Sequence, residues 1–188
     1  MRERADAARN RAKVLAAAAE LFETGDPRTV TMEDIARTAG VGRGTLYRRY
    51  PDVASIAAAL LDEHERLLQD ELLRGEPPLG PGAPPRERLA AFFAAMVDLL
   101  DQHGHLVLGA ESGAKRLAVG AYGFWRAHVL ALLRQAGTPD PEALADTVLA
   151  PLAPEVYLHQ RERGVTPDRV KAALGRLAGV AAGADVLG

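Results

Sequence analysis

The stretch Ile35 to Tyr50, "IARTAGVGRGTLYRRY", limits the fold more than any other part of the sequence. Ala36 and Gly40 stand four apart, a small residue where two helices can cross closely and a glycine free to take positive φ in the turn. Ile35, Ala39, Val41, Leu46 and Tyr50 supply the apolar contacts that pin a second short helix across the first. This is helix-turn-helix spacing. Upstream, Thr31 and Asp34 have the spacing of a capping box, which opens a short helix ending near Ala39. A further helix is predicted from about Ala7 to Thr24, with Val14, Leu15, Ala18, Leu21 and Phe22 on one stripe and Gly25 with Asp26-Pro27 as its stop.

Helical spacing continues to the end of the chain, and no convincing strand or internal repeat interrupts it. Pro51-Asp52 starts a long helix that runs to about Arg74, and "GEPPLGPGAPP", Gly75 to Pro85, is a loop no helix can cross. Helices are predicted beyond it at 86–102, 105–112, 114–136, 140–163 and 167–184, the fourth kinked by Pro151 and Pro154. The expected fold class is therefore all-α with about nine helices. It comprises a three-helix N-terminal helix-turn-helix domain, residues 1–51, and a C-terminal helical domain, residues 52–188.

Charge is distributed unevenly. Net charge is only −2, yet residues 1–50 hold ten Arg and Lys against seven Asp and Glu, and the remainder holds thirteen against eighteen. A basic head on an acidic body calls for an explanation and weighs against a purely structural role for the two short helices. The absence of cysteine rules out disulfides and thiolate chemistry. No apolar run reaches the roughly 18 residues of a membrane span, and the expected location is the cytoplasm. His103-Gly104-His105 has no third ligand at a recognised spacing and its glycine reads as a helix break, so no metal is expected. Gly40-x-Gly42-x-Gly44 follows a helix, with the wrong spacing for a dinucleotide loop. Gly109 to Gly113 fails the nucleophile-elbow pattern at Ala110. Neither enzyme activity nor a cofactor is expected.

Once Leu46 and Tyr50 face the core, Gly42, Arg43, Gly44, Thr45, Tyr47, Arg48 and Arg49 are left facing outward. Small residues let the backbone approach a groove floor, Arg pairs with guanine O6 and N7, and a Thr methyl meets a thymine methyl. Tyr and Arg further along suit phosphate oxygens.

"TVTMEDIARTAGVGRGTLYRRYPDVASIAAAL", Thr29 to Leu60, closely resembles the helix-turn-helix head of TetR-type transcriptional regulators, and "AELFETG" before it matches their first helix. The resemblance is specific over residues 9–61. It implies a phosphate contact for Thr31, base-facing roles for Arg43, Gly44 and Thr45, and phosphate or base contacts for Tyr47 and Arg48. Two positions depart from the family pattern. Gly42 stands where a serine or threonine cap is common, and Val53 where a phosphate-anchoring lysine is common. Arg49 or the arm residues Arg2, Arg4 and Arg9 are candidates to replace that anchor.

The same resemblance implies a homodimer that sets two heads on successive major grooves, about 34 Å apart. Leu144, Val148, Leu152, Val156, Leu174, Leu177 and Val180 form the candidate interface stripes, with an intramolecular core as the other reading. An effector pocket is also implied, with Phe92, Phe93, Met96, Tyr122, Trp125 and His128 as candidate lining, although aromatic stripes at this spacing also suit plain core. The expected function is a homodimeric repressor released from a palindromic double-stranded DNA operator by a small-molecule effector. The alternative is a DNA-binding dimer whose body only dimerises or binds a protein.

Overall fold

Helices form every regular element among the described residues of this computed structural model, which describes residues 2–24, 29–110 and 121–183. The expected stop at Gly25-Asp26-Pro27 and the Glu111-Ser112-Gly113 end of the elbow-like segment lie outside them. The chain divides into two units, Met1–His64 and Glu65–Gly188.

The first unit contains α1 (Arg2–Thr24), α2 (Met32–Ala39), α3 (Arg43–Tyr47) and the beginning of α4 (Val53–Arg74). Its core is the one the sequence pattern prescribes. Val14, Leu15 and Ala18 of α1, Ile35, Ala36 and Ala39 of α2, Leu46 and Tyr50 around α3, and Ile56 and Leu60 of α4 are all buried together. Leu21, Phe22, Val41 and Val53 pack at its edge. An ion pair between Arg11 and Glu63 at 3.4 Å ties α1 to α4 beside this core.

The ends of α2 are fixed by local chemistry. At its start the Asp34 N–H donates to the Thr31 hydroxyl and the Thr31 N–H donates to Asp34 Oδ2, both at 3.2 Å, which completes the capping box. At its end Gly40 takes φ 64° and ψ 34°. The Gly40 N–H then bonds Arg37 O at 3.2 Å and the Val41 N–H bonds Ala36 O at 3.1 Å, the paired bonds of a Schellman ending.

The second unit is built on α5 (Pro85–Ala110), against which α6 (Tyr122–Gln135), α8 (Pro154–Glu162) and α9 (Pro167–Ala181) pack. Leu89, Phe92, Phe93 and Val97 of α5 are fully buried, together with Val129, Leu132 and Leu133 of α6. Tyr157 of α8 is buried too, and its hydroxyl donates to Asp101 Oδ1 at 2.5 Å. Burial, and then the Asp101 carboxylate, push the Tyr157 phenol well above its ordinary range.

Two expectations of the sequence are corrected here. No helix break occurs at Gly104: α5 runs continuously through His103-Gly104-His105, merging the predicted helices 86–102 and 105–112. A Cβ built on Gly104 would lie 3.2 Å from Leu158 Cδ2, so this glycine lets α8 approach α5 and does not end a helix. The predicted helix 140–163 is also divided rather than kinked. Its parts are α7 (Pro141–Leu149), a 3-10 turn at Ala150–Leu152, and α8. Ala153 is extended, at φ −62° and ψ 129°, as the residue before Pro154 must tend to be.

Thr31→Ala is expected to lower the unfolding free energy by about 1 kcal/mol in chemical denaturation, the usual loss for a removed cap. Hydrogen bonds from Thr31, and then from Arg37, hold the Asp34 carboxyl below its ordinary value of 3.8. A lowered folded pKa stabilises above the unfolded value and ceases to do so as pH falls through the folded one. The difference between Thr31→Ala and the wild type is therefore expected to narrow in titrations taken below pH 3.8.

Candidate nucleic-acid interface and a buried aromatic cluster

The short helix α3 starts from Gly42, whose carbonyl accepts from Thr45 N at 2.9 Å and from Leu46 N at 3.1 Å. Gly42 offers no side-chain cap to the helix. Leu46 anchors the inner side of α3 in the core, and the residues around it, Arg43, Gly44, Thr45, Tyr47, Arg48 and Arg49, are all exposed. Tyr47, at 46% exposure, is a large apolar ring left in solvent beside a buried neighbour. A second observation concerns Gly44. A Cβ added there would meet nothing within 4 Å, and its φ is not in the left-handed region. Packing of this chain therefore does not require glycine at a helix position where glycine is unfavourable. Free space in front of Gly44 suits close approach of another molecule.

The outward residues are held in place by their neighbours. The Tyr47 hydroxyl donates to Glu33 Oε1 at 3.4 Å, and Arg43 Nη1 lies 3.6 Å from the same oxygen. Arg48 Nη2 donates to Thr45 Oγ1 at 3.3 Å. Sequence reasoning missed Glu33, because only the crossing of α2 and α3 brings it beside residues ten and fourteen positions away. Arg49 turns inward. Its Nη1 donates to the Ala7 carbonyl of α1 at 3.3 Å and its guanidinium carbon sits 5.9 Å from the centre of the Tyr50 ring. Thr31 is exposed, but its hydroxyl is engaged with Asp34 at 2.5 Å. Val53 is half-buried against the core rather than presented as an anchor. Arg9 pairs with Asp6, and the side chains of Arg2 and Arg4 lie outside the described residues.

In the second unit the structure brings four of the six candidate pocket residues into contact. The Phe92 ring centre is 5.8 Å from that of Phe93, 5.9 Å from Trp125 and 5.4 Å from His128. Met96 is buried one turn along α5. Tyr122 instead sends its hydroxyl to Asp146 of α7 at 2.7 Å, where Arg126 Nε also donates at 3.0 Å. His128 Nε2 is buried without a hydrogen-bond partner. Burial, and then the charge of Arg88, push its pKa down to about 4.

The candidate interface residues separate into two groups. Val148, Leu152 and Leu174 are buried within the core of this single chain, and Leu144 and Leu177 are half-buried. Val156 and Val180 are exposed, at 42% and 59%. Among the described residues no group of three or more His, Asp or Glu could hold a metal ion, and no helix is long and apolar enough to cross a membrane.

A helix-turn-helix head whose second helix is exposed, cationic and open at its glycines, joined to a helical body, defines the class of protein. Residues 14–60 match the profile of "Bacterial regulatory proteins, tetR family", so the head of this chain is similar to the heads of that family. An uncharacterized HTH-type transcriptional regulator of Mycobacterium bovis is 37% identical over 89 residues, which are 47% of this chain and 43% of that protein. The matched part thus spans less than half the length of this relative. Beyond the head, the whole fold is shared with solved proteins. A candidate transcriptional regulator of Pseudomonas aeruginosa PAO1 is 26% identical with a TM-score of 0.58, over 93% of this chain and 91% of that one. The SmeT–triclosan complex shares the fold at 18% identity and TM-score 0.61, over 92% and 90% of the two chains.

Gly44→Ala is expected to stabilise the head by about 0.5–1 kcal/mol in thermal or chemical unfolding, since helix propensity improves and nothing clashes. An NMR titration of His128 is expected to give a midpoint near 4. The neutral ring is the folded form, so the His128 contribution to stability is complete above the unfolded value of 6.5 and is lost as pH falls from 6.5 towards 4.

Proposed function

We propose that this chain is a DNA-binding transcriptional regulator of the cytoplasm, a homodimer that represses by occupying a palindromic operator and leaves it when a small molecule binds the body. One observation carries the DNA-binding part: the exposed face of α3, with Arg43, Thr45, Tyr47 and Arg48 grouped around the open Gly42 and Gly44. Arg43 is the base reader, Tyr47 and Arg48 contact phosphate or base, and Thr31 touches phosphate once its hydroxyl exchanges Asp34 for it. Glu33 occupies Arg43 and Tyr47 in the free protein.

A single head offers few contacts, so two-fold pairing supplies the affinity. With Val148, Leu152 and Leu174 buried in the chain's own core, the interface reading rests on the residues left over, Leu144, Val156, Leu177 and Val180 on α7, α8 and α9. The effector reading rests on polar atoms enclosed by the aromatic cluster, His128 among them, and on a fold that in SmeT is solved with triclosan. The domain arrangement proposed is residues 1–51 for DNA and 52–188 for pairing and sensing.

The test is fluorescence anisotropy with DNA from the upstream region of the protein's own gene, over a salt series. Log affinity is expected to fall steeply and linearly with log salt. Arg43→Ala is expected to lose about 1–3 kcal/mol on its operator and relax specificity there, while Tyr47→Ala weakens all sequences. Gly44→Ala is expected to bind more weakly despite its greater stability. Equal affinity for all sequences and indifference to Arg43 would remove the base-reading assignment.

A further inference from the structure

Arg88 sits in the first turns of α5, one turn ahead of Phe92 on the same face, and His128 follows Trp125 by three residues on α6. Arg88 Nη2 donates to the Leu72 carbonyl of α4 at 3.2 Å. Its Nε–H is buried and meets no acceptor, and His128 Nε2 is buried and unpartnered as well. One nitrogen on each of two half-buried side chains, on two helices, is thus buried without a hydrogen-bond partner, and the His128 ring packs against Phe92. Among the described residues no carboxylate pairs with Arg88, although Arg66, Arg74, Arg126, Arg134 and Arg161 of the second unit each pair with one. A guanidinium stays charged at any pH at which a protein is folded. A half-buried guanidinium whose Nε–H lacks a partner gains from an anion that arrives from solution. That its charge reaches the imidazole is visible in the depressed pKa of His128, for which Arg88 is the second cause after burial.

We propose that Arg88 Nε and His128 Nε2 receive the carboxylate of a small apolar monoanion whose hydrocarbon part lies against Phe92 and Trp125. This rests on the effector reading above and names the class of effector. One cation beside a neutral ring calls for a single negative charge, and two separated donors suit a charge shared over two oxygens. His128 donates here in its Nε2–H tautomer. Met96, one turn beyond Phe92, is a side chain able to adjust to ligands of different length.

The single tryptophan of the chain lies in the cluster, so its fluorescence reports binding to the full-length protein directly. The probes are decanoate, decanol and decyltrimethylammonium, each below its micellar concentration. Decanoate is expected to bind at least about tenfold more tightly than decanol, with no binding of the cation. In Arg88→Met that preference is expected to disappear, and in Arg88→Lys, which keeps the charge and loses the fork, to be retained in part; circular dichroism checks that both are folded. Equal binding of decanoate and decanol by the wild type would overturn the anion assignment and leave the effector pocket standing. A preference for decanoate that survives Arg88→Met would overturn the role of Arg88. Saturable binding of none of the three would overturn this inference and the effector reading together.

Discussion

The turn at Gly40 is the constraint on which the head depends. At φ 64° any residue with a Cβ would carry a penalty of roughly 1 kcal/mol or more. The reversal it allows ends α2 after two turns and brings Val41 back to the core. Only two residues then separate the turn from Arg43, so the direction of α3 is set almost wholly by the bonds from Gly40 and Val41 to the last carbonyls of α2. A five-residue helix has little stability of its own. Leu46, buried among Ile35, Ala36 and the α1 stripe, supplies what propensity does not. The exposure of Arg43, Tyr47 and Arg48 follows from these two facts, because a helix pinned at one inner residue shows the rest to solvent.

The body depends on α5 in a different way. Its side chains serve three neighbours at once, and the contacts that fix those neighbours are placed along its length. Gly104 admits Leu158, Asp101 takes the Tyr157 hydroxyl and pairs with Arg161 at 3.2 Å, and Asp98 pairs with Lys171 of α9 at 2.5 Å. The exposed ion pairs each contribute little, about 0–1 kcal/mol. The buried Phe92, Phe93, Leu89 and Val97 contribute most of the cohesion, at about 1.5–3 kcal/mol for each large apolar side chain enclosed. Arg88, half-buried on this helix, bonds the Leu72 carbonyl and has no ion partner among the described residues.

How much could be read in the sequence differs between the two units for a physical reason. In the head the decisive signals are local. The Thr31 and Asp34 spacing, the Ala36 to Gly40 interval and the Leu46 to Tyr50 pair each act within one or two turns, and the structure reproduces them. What the sequence did not disclose in the head is tertiary: Glu33 beside Arg43, and the bond from the exposed Arg49 to α1. In the body tertiary effects decide more. A glycine between two histidines reads as a break, yet packing against Leu158 holds the helix through it, because the enclosed backbone gains more from α5 continuing than glycine loses in propensity. Apolar stripes on α7 to α9 likewise do not reveal which neighbour they face. Val148 and Leu174 are used up inside the chain, while Val156 and Val180 are not.

Gly44 shows how folding and function can be separated at a single position. Its backbone is ordinary helix, the space before it is empty, and an alanine would fit. Gly42 next to it caps α3 with no side chain, where a hydroxyl would satisfy an open N–H. Stability alone would fill both positions, so the missing atoms call for an explanation outside the folded chain. The neighbours of the two glycines provide it. Under the proposed function the bare backbone between the exposed Arg43, Tyr47 and Arg48 meets a base-pair edge flanked by phosphates, and a Cβ at Gly44 would obstruct that approach.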